Sequence, residues 1–156
     1  MTFRLIRTGA CIAAFAAALA GPVMAQELAA EPTFGELTLM AGFEPDPHRV
    51  ELTAGGDIDA ASSIGGECVG MIAGPPDLRL TYKPDEASLT IKAIAGADTT
   101  LVVNDPNGEW ACNDDSDDGL NPAVTFSDPQ EGVYDIWVGT LDEEPVAAVV
   151  EITELD

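Results

Sequence analysis

The chain has 156 residues, room for one modest domain, and its 28 acidic residues against six basic ones give a formal net charge of −22. A surface this acidic repels nucleic acid and anionic lipid, and it attracts cations or a basic partner. One histidine and three cysteines leave little material for imidazole or thiol catalysis.

The chain opens with Arg4 and Arg7, followed by a small and apolar run from Ala10 to Ala20. Val23 and Ala25 flank Met24 with the small-residue spacing that signal peptidase reads. The run is too short to span a bilayer comfortably, so residues 1–25 are expected to be a secretory signal peptide cleaved before Gln26. The mature chain, 26–156, is expected to form a single domain, periplasmic or secreted, with no membrane insertion of its own. It holds all 28 acids but only Arg49, Arg79, Lys83 and Lys92, a formal charge of −24. Two cysteines remain after cleavage, Cys68 and Cys112. An oxidising compartment favours a disulfide between them, and closing so long a loop contributes roughly 4 kcal/mol.

Short apolar stretches alternate with turn signals along the mature chain. The expected strands are Leu37–Ala41, Arg49–Thr53, Cys68–Ile72, Leu78–Tyr82, Leu89–Ile94, Thr99–Val103, Ala123–Ser127, Val133–Thr140 and Ala147–Ile152. Glu31 to Phe34 reads as a flexible arm leading in. No interval keeps a helical apolar period without a breaker, so no substantial helix is expected. Leu78, Leu80 and Tyr82 share one face against Arg79, Thr81 and Lys83. Leu89 and Ile91 share one against Thr90 and Lys92, and Tyr134, Ile136 and Val138 share one against Asp135 and Trp137. Each reads as a strand with one side on a core. Two sheets burying those rows against each other give an all-β, antiparallel β-sandwich. Pro106 has its φ preset and Asn107–Gly108 adopts positive φ cheaply, which predicts a tight hairpin between Val103 and the segment around Trp110. Phe43–Arg49, Ala54–Glu67 and Asn113–Pro122 read as the longer irregular stretches.

The densest chemistry is Asn113–Asp114–Asp115–Ser116–Asp117–Asp118–Gly119, with Asp105, Asn107 and Glu109 just upstream. A hard divalent cation takes six to eight oxygens, which carboxylates and amides supply. Asp105, Asn107, Asp114, Asp115 and Asp118 are therefore candidate ligands for Ca²⁺. The EF-hand pattern fails: with Gly119 at its glycine position, Thr125 stands where a bidentate Glu belongs. The competing reading is a solvated acidic loop that attracts cations diffusely. Asp57 and Asp59 form a smaller acidic pair in a Gly-rich loop, and His48, beside Pro47, reads as a surface residue. Trp137 and Asp135 point away from the expected core row. Either a loop such as the one after Cys112 covers Trp137, or the pair forms an exposed platform for a protein or glycan.

Acyl-transfer hydrolysis needs a nucleophile, a base and an orienting group, and His48 is the one imidazole. No Gly-rich phosphate loop and no histidine-based zinc motif is present. The domain is therefore expected to be non-catalytic. The competing readings are a Ca²⁺-stabilised accessory module, a protein- or glycan-binding or assembly module without a specific metal, and a small secreted hydrolase using paired carboxylates.

Several blocks resemble bacterial pre-peptidase C-terminal (PPC)-like domains. They are Cys68–Val69–Gly70–Met71–Ile72, Pro76–Asp77–Leu78–Arg79–Leu80–Thr81–Tyr82, Ala97 to Gly108, Trp110–Ala111–Cys112–Asn113–Asp114–Asp115–Ser116, Gly119–Leu120–Asn121–Pro122 and Gly132 to Thr140. The resemblance runs from about Phe34 to Ile152. It implies a jelly-roll-like β-sandwich, exported and non-catalytic, of a kind that accompanies secreted peptidases and in some relatives binds calcium or collagen. These 156 residues hold no peptidase domain, so the resemblance leaves the ligand undefined.

Overall fold

The computed structural model describes residues 27–117, 119–142 and 144–155. The expected signal peptide lies outside the described residues. The elements are β1 (Glu36–Met40), β2 (His48–Ala54), β3 (Ile58–Asp59), α1 (Ala60–Ser63), β4 (Met71–Ile72), β5 (Leu78–Lys83) and β6 (Leu89–Ala95). They continue with β7 (Thr99–Asn104), β8 (Trp110–Asn113), β9 (Ala123–Phe126), β10 (Gly132–Thr140) and β11 (Val146–Thr153).

These strands form two sheets. One is four-stranded in the order β2-β11-β6-β9. The other is seven-stranded and built around the long strand β10, which pairs with β5 along one side and β7 along the other, with β8 beyond β7. Where β5 ends, β4 takes its place beside β10 and carries β3. Setting β1, β3 and β4 aside, successive strands switch between a β2-β11-β6-β9 sheet and a β5-β10-β7-β8 sheet at every step except the β7–β8 hairpin, which is jelly-roll connectivity. The fold is thus a β-sandwich, and its pairing is antiparallel with one exception. β1 runs parallel to β5, from Glu36 opposite Arg79 to Met40 opposite Lys83.

The alternation in the sequence sets the core. Leu78, Leu80 and Tyr82 from β5, Tyr134, Ile136 and Val138 from β10, Leu89, Ile91 and Ala93 from β6, and Ala148, Val150 and Ile152 from β11 meet between the sheets. The Phe126 and Tyr134 rings pack edge to face, 5.1 Å between centroids. The lead-in segment is no free arm: Thr33 N donates to Pro76 O at 2.8 Å, Phe34 N donates to Asp77 O at 2.7 Å, and the Phe34 ring packs on the core. The expected strand Cys68–Ile72 shrinks to Met71–Ile72. Gly70 takes a φ of +91° and passes hard against Thr100, a bend that a regular strand does not make.

A second, smaller core lies on the outer face of the seven-stranded sheet. Val102, Cys112 and Trp137 point outward from β7, β8 and β10, and Ile58, Ala60, Ile64, Cys68 and Ile72 close over them. The covering segment is the stretch expected to be irregular. It folds into β3 and the short α1, whose N-terminus is capped by Asp59, with Oδ1 accepting from Ala61 N at 3.1 Å.

Candidate binding cleft

The β7–β8 hairpin is built as its turn residues require. Asp105 N donates to Glu109 O and Gly108 N to Asp105 O, both at 2.9 Å, with Gly108 at a φ of +79°. This is a tight turn closed by a glycine bulge. The Asp105 carboxylate holds it together, Oδ1 accepting from Asn107 N at 2.9 Å and Glu109 N at 2.8 Å. The turn sets the register Asn104 opposite Trp110, Val103 opposite Ala111, Val102 opposite Cys112 and Leu101 opposite Asn113.

That register lines up one row across five strands on the outer face: Glu36, Arg79, Asp135, Asn104 and Trp110. Within it Arg79 Nε donates to Asp135 Oδ1 at 2.7 Å, and the guanidinium also reaches Glu36 Oε1 at 3.5 Å and the Leu28 carbonyl at 2.5 Å. The hydrogen bond to Asp135, more than the surrounding charges, raises the Arg79 pKa further. Asp135 is 7 % exposed and spent on this pair, and Trp137 in the neighbouring row is fully buried. Of the two readings of this face, covered or exposed, the structure has the covered one, with both residues interior. Its cover is the segment from Ile58 to Cys68, not the loop after Cys112.

Trp110 is the aromatic that reaches solvent, 36 % exposed, its ring centroid 5.5 Å from that of Trp137 and tilted by 46°. The Cys68–Cys112 disulfide, with Cα atoms 5.0 Å apart, ties the covering segment to β8 beside it. Between the 64–68 loop, β8 and the start of β9 opens a cleft of about 440 Å³. Trp110 and Glu67 line it together with the disulfide, Asn113 and Val124. The loop is held by Ile64 N and Gly65 N donating to Ala60 O and by Cys68 N donating to Gly65 O. At the far end Ala123 N donates to Asn113 Oδ1 at 3.0 Å, joining the edges of the two sheets.

The expected Ca²⁺ ligands are not gathered in the same way. Asp105 and Asn107 sit in the hairpin before β8, whereas Asp114 and Asp115 follow it. Asp105 is level with Glu109, and five steps of extended chain from there to Asp114 cover about 16 Å, too far for both groups to reach one ion. Asp118 lies outside the described residues. Among the described residues no three His, Cys, Asp or Glu side chains are placed to hold a metal.

The acidic residue with unusual chemistry is Asp77, which follows Pro75–Pro76 just before β5. Asp77 is 2 % exposed, and its Oδ2 accepts from Val138 N at 2.7 Å. Burial pushes its pKa up to about 7, against the lowering effect of that hydrogen bond.

No family model matches the chain, and no curated protein matches it. Among solved structures it is similar to the crystal structure of Aeromonas hydrophila PliG, a periplasmic lysozyme inhibitor of g-type lysozyme. That similarity has 15 % identity, 80 % of this chain and 98 % of that chain covered, and a TM-score of 0.40.

Proposed function

We propose that this chain is an exported, non-catalytic binding module whose acidic surface takes up a cationic protein. The observation that carries the reading is the charge balance of the mature part, 28 acids against four bases. Two of those bases are engaged internally, Arg49 with Glu151 at 2.6 Å and Arg79 with Asp135 at 2.7 Å. The remaining negative field reaches beyond the surface and favours encounter with a basic partner. The leader-like start and the Cys68–Cys112 disulfide support export. A non-catalytic role is supported by the cleft itself, whose lining offers one carboxylate, Glu67, with no imidazole or hydroxyl beside it. The blocks that resemble PPC-like domains are consistent with an accessory role of this kind.

Titration calorimetry of the mature protein against cytochrome c, a lysine-rich probe, and against its acetylated form tests the reading. Saturable binding is expected at about 0.15 M salt, where screening over roughly 8 Å removes diffuse attraction, and acetylation should abolish it. Equal behaviour of the two forms, or no saturable binding at that salt, would overturn the proposal.

A further inference from the structure

The cleft beside Trp110 has the features of a peptide-binding edge. Among the described residues β8 pairs only with β7, so it is an edge strand of its sheet. The hydrogen bond from Asp105 N to Glu109 O, with the register that follows, turns the main chain of Ala111 and Asn113 toward β7. By the alternation of an antiparallel pair, the N–H and C=O groups of Trp110 and Cys112 face away from it. An extended segment can pair with such an edge. The cleft runs along all four residues of β8, and its volume of about 440 Å³ falls in the ligand-site range. Its aromatic wall is fixed, because the Trp110 ring rests on the fully buried Trp137. The opposite wall is pinned by the disulfide, and a Cβ on Gly65 or Gly66 would meet nothing within 4 Å, so the loop tip leaves open space for an incoming chain.

The charge around the cleft selects the occupant. Glu67 is exposed on its rim, and Glu109 and Asp114 flank β8 in sequence. No lysine or arginine is among the residues lining it. Lys92 is opposite Ala123 in the register and lines a separate hollow with Asp117. A half-exposed indole beside a carboxylate suits a guanidinium or ammonium group, which gains from the ring face and the negative charge together.

We propose that this cleft receives an extended, arginine- or lysine-bearing segment of the partner protein, its main chain alongside β8 and one cationic side chain over the Trp110 ring. The proposal rests on the reading of the chain as a binding module for a basic protein.

A hexaarginine peptide is the probe, followed by NMR on the oxidised mature protein. The Trp110 indole N–H and the amides of Gly65, Gly66 and Cys112 should move most. Glu67→Gln, on the exposed rim, and Trp110→Ala should each weaken binding by about tenfold, while Trp110→Phe, which keeps a ring on Trp137, should lose less. Glu67→Gln should leave the melting temperature unchanged, so its effect is separable from any loss of folding in Trp110→Ala. The proposal falls if the shifts appear at the Asp114–Asp117 loop with the cleft unmoved, or if Glu67→Gln and Trp110→Phe bind as the parent does. It also falls if a neutral hexasaccharide, and not hexaarginine, moves the cleft resonances. Cytochrome c binding that survives in Trp110→Ala and Glu67→Gln would overturn the cleft assignment while leaving the acidic-module reading intact. Loss of cytochrome c binding by the parent protein removes that broader reading instead.

Discussion

Asp77 shows how one side chain can set the response of the whole domain to pH. Its carboxyl is enclosed at the start of β5, and its one described side-chain partner is the Val138 amide. In the unfolded chain it ionises near 3.8; in the fold it holds its proton up to about 7. The folded state therefore binds more protons between those values, so this residue's contribution to stability falls as pH rises from about 4 to 7. Above that range the full penalty remains, on the order of 4 kcal/mol. Asp77→Asn keeps an acceptor for Val138 and removes the ionisation. Melting temperatures from pH 4 to pH 8 should show the variant gaining on the parent as pH rises, with the gain levelling above about 7. A constant offset at every pH would contradict this account. In the sequence Asp77 follows Pro75–Pro76 just ahead of β5, and nothing local shows that β10 would close over its carboxyl.

Among the elements, the strands whose apolar residues alternate were readable from sequence, because alternation and burial coincide in them. Leu78, Leu80 and Tyr82 and the Tyr134, Ile136, Val138 row fall where expected. The segment from Ile58 to Ile72 was not, since its buried residues Ile58, Ala60, Ile64, Cys68 and Ile72 follow no single period. It is a cover shaped by what lies beneath it, and that is also why the Asp135 and Trp137 face, correctly placed opposite the core row, turned out to be interior. β8 was legible only as the far arm of a hairpin, its four residues being too few to show a pattern. The cover depends on its covalent tie to β8. Reduction of Cys68–Cys112, or Cys68→Ala with Cys112→Ala, should destabilise the protein by about 4 kcal/mol through the loop it frees. Tryptophan emission should shift to the red as Trp137 gains water. Unchanged emission and melting temperature after full reduction would show that the cover holds by packing alone.

The whole molecule answers to its charge. Like charges at this density repel each other in the folded state more than in the expanded chain, so added salt should stabilise the domain by screening. With the described members of the expected Ca²⁺ set divided between the two ends of β8, Ca²⁺ and Mg²⁺ at matched ionic strength should raise the melting temperature equally. A clear excess for Ca²⁺ would place a specific site where the geometry gives none. Composition alone made the charge legible. The cleft proposed to meet a partner was not, because it joins residues 64–68, 110–113 and 123–124, which are far apart in the chain.

One sulfur–sulfur bond thus joins a wall of the cleft to its floor. A chain kept reduced would carry its acidic field undiminished, yet have only a loosely hung flap beside an unguarded strand edge. If the cleft is the mouth proposed above, chemical oxidation, rather than folding of the sandwich itself, is the event that gives it a defined shape.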